Sequence, residues 1–417
     1  MKAATIENYL KTFHYWLGLF LVFWMALGHS LIPYISGLWV LSGLLLVRKS
    51  SFASQYVRWR YILLFLALYL AHVVSVVYSD NQHAAWFSLE VKMALLLFPV
   101  LVVLMMQHHF EKKLSWIFIA FLAGNIVAMI YNIVMAAVSH ASFSWDHFVY
   151  QKLSFFLHPS YYSLYLDFAL AVLLFYFLPR SQHAGRNTRI IVISISVVIF
   201  GFIIMLSSRA GILAAFCVLM IKTIQLVVHS NLSRLLKVFL FLFAFIFLSV
   251  VTVSNKRMQS AMSNFTDNFR LDQEQLKGEK RISSAQTRLL LWKSSLNVIH
   301  DHWLIGTGSG DANDEITREL IHIVDNPSIF TKNYNAHNQF LDTFVALGVI
   351  GFVLLMALLF WPLIVAIKTE NYLLMALAVL LIVHLMFESM VNRQAGVIFF
   401  SFFLPLLFGF RQSQPNN

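Results

Sequence analysis

The sequence predicts an all-α integral membrane protein with about twelve transmembrane helices. Hydrophobic residues make up 59% of the 417 residues and charged residues only 12%, whereas soluble globular domains carry about 25% charged residues. The mean hydropathy of +0.73 indicates the same class. Apolar runs close to the ~20 residues that a helix needs to cross a bilayer recur along the chain. One large polar segment, residues 255–336, interrupts them.

Twelve apolar runs divide the chain, and each is interpreted as one span. They are residues 14–29, 32–47, 61–78, 88–106, 115–138, 159–178, 190–206, 210–228, 238–254, 338–367, 372–388 and 395–410. The first run follows Lys2 and Lys11 as in a signal peptide, but a first transmembrane helix is preferred because a second apolar run follows at once. The weakest division is Ser207–Gly211. Arg209 would cost at least ~2.5 kcal/mol at the bilayer centre, so we place it at an interface.

The lysines and arginines of the short loops predict the orientation, because loops on the inner side carry an excess of these residues. One set of alternate loops is basic: Arg48, Lys49, Arg58, Arg60, Lys112, Lys113, Arg180, Arg186, Arg189, Arg234, Lys237 and Lys368. The other set of short loops is nearly bare. Both termini are therefore expected inside and residues 255–336 outside. The predicted division is 1–254 with nine helices, 255–336 as an outer loop, and 337–417 with three helices and an inner tail.

The net charge of +11 belongs to the membrane part, because the 255–336 loop contains ten basic and ten acidic residues. Basic inner loops that face anionic lipid explain such an excess. Membrane lipids are therefore expected partners, and nucleic acid is not. The single cysteine, Cys217, allows no internal disulfide and no cysteine metal cluster.

The outer loop is predicted to be partly helical. Ser284 can cap a helix there, and its predicted buried stripe recurs at helical spacing: Leu289, Trp292, Leu296 and Ile299. The glycine-rich segment Gly306–Gly310 would end this region and is interpreted as a turn, since a phosphate loop needs a following Lys-Ser/Thr. Asp311 and Asp314 have the oxygen ligands that a divalent cation prefers, but solvated loop acids are the simpler interpretation.

Arg209, Arg288 and His337 are predicted to lie at a similar depth near the outer interface. Two arginines can bind a diphosphate through bidentate, charge-assisted hydrogen bonds and stabilise the charge that develops on it as it leaves. A neutral histidine can accept the proton of an attacking hydroxyl near pH 7. The set suits glycan transfer from a lipid diphosphate. Each residue alone also fits an ordinary role: a headgroup contact for Arg209, a solvated charge for Arg288, and a helix-start hydrogen bond for His337.

Several ionisable groups lie within apolar runs, where they are costly and often functional. They are His72, Lys92, Asp167, Asp342, His384 and Glu388. Glu388 and Arg393 are predicted to line the same cavity as His337, and Asp342 is predicted to balance one of the arginines. Structural pairing explains each of these groups equally well.

The motifs of residues 200–365 resemble those of the bacterial O-antigen ligase and polymerase superfamily. The matching elements are Ser208-Arg209-Ala210-Gly211, Arg288 with Trp292, Gly306-x-Gly308, His337-Asn338-x-x-Leu341 and Gly348-x-x-Gly351. The layout of twelve spans with one large outer loop extends the resemblance over the whole chain. It implies a GT-C-like fold.

The resemblance implies transfer of a glycan from undecaprenyl diphosphate to an acceptor hydroxyl, with inversion at the anomeric centre and with no metal or other cofactor. Arg209 and Arg288 match the diphosphate-binding arginines of the family, and His337 matches its proposed base. The residues expected to contact substrate are Trp292, Asn338, Asp342, Glu388 and Arg393.

Within the superfamily, a ligase that joins the glycan to lipid A–core is the first interpretation, and a polymerase that lengthens the lipid-linked glycan is the close alternative. The tail 411–417 is too short for the soluble domain that many protein-modifying members carry. The ligase would lie in a bacterial inner membrane with its active site facing the periplasm. A lipid-linked-sugar flippase is an alternative of another class, favoured by His72, Asp167 and His384, but the span lengths show no two-fold repeat. A scaffolding protein, the third alternative, would not need His337.

Overall fold

The computed structural model describes residues 2–28, 30–46, 58–106, 110–139, 144–229, 233–254, 284–324 and 334–409. These ranges are helical and contain no strand. The helices in chain order are α1 (Lys2–Trp24), α2 (Ile32–Leu46), α3 (Trp59–Val77), α4 (Gln82–Met105), α5 (Phe110–Val138), α6 (Pro159–Val172), α7 (Leu178–Ala184), α8 (Arg186–Leu206), α9 (Arg209–Val228), α10 (Arg234–Ser254), α11 (Ser284–Asp301), α12 (Ala312–Val324), α13 (Gln339–Lys368), α14 (Tyr372–Phe387) and α15 (Gln394–Phe408). A π-helical turn, Leu173–Phe177, joins α6 to α7.

The protein is an all-α, multi-pass membrane protein. Within the described ranges, seven helices are long and apolar enough to cross a bilayer: α3, α4, α5, α6 with α7, α8, α9 and α13. Three shorter apolar helices, α2, α14 and α15, accompany them. Each of the twelve apolar runs overlaps one of the helices, while the number of twelve spans and the three-part division of the chain stay predictions.

Helix α6 lies at the centre of the bundle. All of its residues are buried, and it packs against α8, α9 and α14. Pro159 begins the helix, since a proline in the first turn needs no hydrogen-bond donor. Phe168 of α6 contacts Phe403 of α15 with ring centroids 4.7 Å apart, and Phe121 of α5 contacts the same ring at 4.9 Å. These aromatic contacts fix α5, α6 and α15 against each other.

The first helix of the 255–336 loop lies where the sequence predicts it, but it buries a different face. Residues 255–283 and 325–333 lie outside the described ranges. Leu290, Leu291 and Val298 are fully or nearly buried, whereas Leu296 is 56% exposed, so the predicted stripe is wrong at Leu296. The reason is that the buried face also contains Ser294 and its neighbour Ser295, whose hydroxyls donate to helix carbonyls four residues earlier. Serine can be buried in a helix when its hydroxyl is satisfied this way.

The glycine-rich segment Gly306–Gly310 packs against a break in α13. Gly348 has a φ of +63° inside that helix, and Gly306 has a φ of +73°. A side chain on Gly306 would place its Cβ 2.6 Å from the Gly348 nitrogen. The Thr307 N–H donates to the Val345 carbonyl at 2.8 Å, a carbonyl close to the break. The segment is therefore an anchoring turn, and its glycines are required by the close backbone contact.

The acidic residues after this turn hold the connection between α3 and α4. The Asp311 carboxylate accepts the backbone N–H groups of Asp80 at 2.8 Å and Asn81 at 2.7 Å. The Asp314 carboxylate accepts the Asn81 side-chain amide at 2.9 Å. Because Asn81 is the N-cap of α4, both acids satisfy polar groups at a helix start. They are structural contacts and not merely solvated loop acids.

Candidate functional site

A cavity of about 800 Å³ lies where seven parts of the chain meet. Its walls come from α3 and α4, from the beginning of α6, and from the Gly306–Gly310 turn with the first residues of α12. The beginning of α13 and the connection between α14 and α15 also contribute. Pro33 of α2 completes the wall. His337, Asp342, Glu388 and Arg393 all line this cavity, so four of the predicted site residues share one space.

His337 lies immediately before α13 and has a left-handed backbone with a φ of +46°. The Asn335 side chain stabilises this conformation by accepting the His337 N–H at 3.0 Å. Asn338 is the N-cap of α13, and its side-chain oxygen accepts the N–H groups of Phe340 at 3.0 Å and Leu341 at 3.3 Å. The Asn-Ala-His-Asn segment therefore holds the imidazole at the start of the helix, where its side chain remains 34% exposed.

Glu388 joins His337 to Arg288. One carboxylate oxygen lies 3.0 Å from His337 Nδ1, and the other accepts Arg288 Nη2 at 3.0 Å. The Glu388 side chain is 9% exposed and the Arg288 side chain 24% exposed. Glu388 follows the last residue of α14 in extended conformation, and its N–H donates to the His384 carbonyl at 3.1 Å. Three residues separated by 49 to 100 positions thus form one hydrogen-bonded set.

The charges around Glu388 keep its carboxyl ionised. Burial raises the pKa of Glu388, but the hydrogen bond from His337, the charge of Arg288, and the charges that His337 and His158 carry when they are protonated bring the pKa below its ordinary value. An ionised carboxylate accepts hydrogen bonds only. Its contact with His337 Nδ1 therefore assigns the proton of the neutral imidazole to Nδ1 and leaves Nε2 as the acceptor.

Arg209 and Trp292 lie on α9 and α11. Arg209 is the first residue of α9 and is partly buried. Ser207 has a left-handed φ of +47° and Ser208 caps α9, so the break between α8 and α9 is only two residues long. Trp292 lies one turn after Arg288 on α11 and is partly buried. The cavity-lining residues in the described ranges include neither Arg209, Arg288 nor Trp292, and Arg288 is connected to the cavity through Glu388.

Asp342 has a different partner from the one that the sequence predicts. Its carboxylate is hydrogen-bonded by the Asn392 side-chain amide, and it interacts electrostatically with Lys92 of α4. Lys92 also lines the cavity. The charge of Asp342 is therefore balanced by a lysine and not by an arginine. Arg393 lies on the same connection as Glu388 and is exposed.

Sequence reasoning missed two residues at the beginning of α6. His158 and Tyr161 line the cavity, and the His158 charge acts on Glu388. A weak signal was available, because His158 immediately precedes the sixth apolar run on the same predicted side as His337.

A second histidine–carboxylate pair lies inside the bundle. His384 Nε2 is 2.7 Å from an Asp167 oxygen, and both side chains are 0% exposed. The pair joins α14 to α6. Both residues are therefore paired, as the structural interpretation of intramembrane ionisable groups predicts.

Comparison with known proteins identifies the central part of the chain. Residues 194–356 match the family model described as O-antigen ligase. No curated protein matches the chain. The matched region includes Arg209, Arg288 and His337 and agrees with the motif resemblance over residues 200–365. Over this segment the chain is similar to the O-antigen ligase superfamily, whose members are glycosyltransferase-like O-antigen ligases or polymerases.

Proposed function

We propose that this protein transfers a glycan from undecaprenyl diphosphate to a hydroxyl of lipid A–core, at the periplasmic side of a bacterial inner membrane. The observation that carries the proposal is the set of His337, Glu388 and Arg288 beside an 800 Å³ cavity. A base, its orienting carboxylate and a cation lie together there. Lipid-linked glycan transfer requires these groups.

His337 acts as the general base. Its Nδ1–H donates to Glu388, so Nε2 is free to accept the proton of the acceptor hydroxyl. The deprotonated oxygen attacks the anomeric carbon from the face opposite the diphosphate. The new carbon–oxygen bond forms, the bond to the diphosphate breaks, and its electron pair leaves with the diphosphate. The ionised Glu388 stabilises the imidazolium that results, and the product has the inverted configuration.

Arg288 and Arg209 bind the diphosphate. One Arg288 nitrogen is engaged with Glu388, and the guanidinium has further N–H donors for phosphate oxygens. Arg209, at the first position of α9, is near a helix N-terminus that favours anions. Together they would compensate the charge that grows on the leaving diphosphate.

A reconstitution with purified protein tests the proposal. The protein in detergent or liposomes receives undecaprenyl-diphosphate glycan as donor and either lipid A–core or a second lipid-linked glycan as acceptor. Glycan on lipid A–core supports the ligase, whereas lengthened carrier-linked chains would make the protein a polymerase. If neither product forms but lipid-linked glycan crosses the liposome membrane, the protein is a transporter and the proposal is wrong.

The same assay tests the expected independence from metal ions. The Asp311 and Asp314 carboxylates are engaged with the start of α4, so we expect full transfer in EDTA. Activity that is lost in EDTA and restored by Mg²⁺ or Mn²⁺ would require a metal-assisted mechanism instead.

A further inference from the structure

The wall formed by α4 and the first turns of α13 contains a pair of opposite charges that the mechanism does not use. Lys92 is 4% exposed and Asp342 is 3% exposed, and both line the cavity. Each lies on a helix that is long and apolar enough to cross a membrane. A charged group in such a helix is costly and commonly marks a substrate path.

The pair retains hydrogen-bonding capacity. Lys92 Nζ donates to Ser88 Oγ at 2.8 Å, which leaves further donors on an ammonium group that has three. Asn392 donates to Oδ2 of Asp342. The other oxygen, Oδ1, is buried and makes no hydrogen bond to any described residue. The Ala336 amide and the Ser389 hydroxyl face the carboxylate. Unused donors of Lys92 and an unpaired oxygen of Asp342, itself closed to solvent, therefore lie in one cavity wall.

The two charges attract each other without forming a direct contact. They interact electrostatically, and among the ion pairs of the described residues there is none between Lys92 and Asp342 within 4.0 Å. A group that accepts from the ammonium and donates to the carboxylate would satisfy both. Adjacent hydroxyls of a sugar ring have this capacity, since each hydroxyl is a donor and an acceptor.

An anionic group fits this wall poorly. Asp342 already balances the Lys92 charge, and the Glu90 carboxylate lines the same cavity. A diphosphate placed here would meet two carboxylates and one cation whose charge Asp342 balances. Arg393, which also lines the cavity, lies on the connection between α14 and α15. A neutral sugar ring would meet donors, acceptors and the Tyr161 ring, which also lines the cavity.

We propose that Lys92 and Asp342 form the acceptor-sugar subsite of the cavity and bind uncharged hydroxyls next to the one that His337 deprotonates. Asp342 and His337 both line the cavity, so a ring held at this wall would share one space with the base. This inference rests on the proposed function, since it assigns the acceptor within that reaction.

Two-substrate kinetics test the subsite. Lys92→Met and Asp342→Asn keep the side-chain length and remove one charge each. Loss of one hydrogen bond to a charged group predicts an acceptor KM raised about tenfold or more, with the donor KM unchanged within about twofold. Lys222→Met is the matched control, because Lys222 lies on the apolar helix α9, is partly buried, and bonds Gln225 instead. It should leave both KM values as in the wild type.

Inhibition by inorganic pyrophosphate separates the two possible ligands of Lys92. Pyrophosphate should inhibit the Lys92→Met and wild-type proteins equally, whereas Arg288→Met should weaken the inhibition. A Lys92→Met protein with a raised donor KM and weakened pyrophosphate inhibition would assign Lys92 to the diphosphate and overturn the inference. Unchanged KM values for both substrates in both variants would also overturn it.

Further measurements keep the inference testable if a variant is unstable or if no transfer occurs. Lys92→Gln retains a hydrogen-bond donor, so its acceptor KM should lie between those of the wild type and Lys92→Met. If the wild type forms no product, the proposed function fails, and saturation-transfer NMR with dephosphorylated core oligosaccharide then tests the subsite directly. Binding by the wild type that Lys92→Met loses supports the subsite, whereas equal binding by both proteins excludes it.

Discussion

Two histidine–carboxylate pairs lie near the same end of α14, and only one of them lines the cavity. His384 and Asp167 are 2.7 Å apart and 0% exposed. His337 and Glu388 are 3.0 Å apart, with the histidine 34% exposed and the carboxylate connected to Arg288. The chemical groups are almost identical. Access to the cavity and the presence of a third, cationic partner are what differ.

The sealed pair, His384 with Asp167, is connected through the backbone to the open pair, His337 with Glu388. The sealed pair joins α6 to α14, and the His384 carbonyl accepts the N–H of Glu388 at 3.1 Å. It therefore fixes the end of the helix from which Glu388 reaches His337. We expect changes in the open pair to affect catalysis and changes in the sealed pair to affect stability.

The largest effect is expected for His337→Ala. Removal of the base should lower the rate of glycan transfer about 10²- to 10⁴-fold, because no other group is assigned to take the proton of the acceptor hydroxyl. The partly exposed side chain leaves no large void, so the melting temperature in detergent should change little. Transfer and melting are measured on the same preparation.

The exposed His302, which follows α11, provides the matched control. His302→Ala should transfer glycan at the wild-type rate. A His337→Ala protein that is folded and retains the wild-type rate would exclude the open pair as the catalytic pair.

Glu388→Gln should have the next largest effect. The amide keeps the size of the side chain but cannot stabilise an imidazolium by charge, so we expect kcat to fall by up to about 10⁴-fold, the loss seen when the orienting carboxylate of a catalytic triad becomes an amide. Glu315→Gln is the control, because Glu315 is ion-paired with Arg318 on α12 and should be neutral. A Glu388→Gln protein with unchanged kcat would show that the hydrogen bond to His337 has no catalytic role.

The sealed pair should respond to mutation in the opposite way. Asp167→Asn weakens the fully buried hydrogen bond to His384, which should reduce stability by about 1–3 kcal/mol. The rate per folded molecule should stay within about twofold of the wild type. Thermal melting and transfer by the folded fraction measure the two quantities.

The double variant Asp167→Leu with His384→Leu sharpens this test. Replacing both members of a buried pair by apolar residues often leaves stability unchanged. The double variant should therefore be more stable than Asp167→Asn. If Asp167→Asn instead abolished transfer in a fully stable protein, the sealed pair would take part in function, as in a proton path or a transporter.

The positions of the helices follow from the sequence, but the contacts between them do not. The apolar runs predict where helices lie because bilayer thickness sets a length for each span. The contact of Arg288 with Glu388 joins residues 100 positions apart, and no local pattern encodes such a distance. The same limit explains why the sequence predicts an arginine partner for Asp342, whereas Lys92 of α4 balances the charge of this carboxylate.

Local sequence patterns also fail to predict the buried face of α11 and the break in α13, because backbone contacts determine both. A hydrophobic periodicity predicted that Leu296 is buried, yet the buried face of α11 includes two serines whose hydroxyls bond within the helix. The break at Gly348 is invisible in an apolar run of 30 helical residues. It exists because the Gly306–Gly310 turn supplies hydrogen bonds at the break.

The smallest expected effect concerns acid stability and again separates the two pairs. The pKa of Glu388 in the folded protein lies below its ordinary value of 4.5, because His337, Arg288 and His158 together outweigh its burial. A carboxyl with a lowered folded-state pKa stabilises the protein above its unfolded pKa, and this contribution is lost as the pH falls through the folded pKa. The difference in melting temperature between wild type and Glu388→Gln should therefore be constant from pH 8 to about pH 5 and shrink in stronger acid.

Asp167→Asn provides the comparison at each pH. A difference for Glu388→Gln that disappeared between pH 8 and pH 6 would mean that this carboxyl is protonated near neutrality, and a protonated Glu388 could not hold the imidazole of His337 ready to accept a proton.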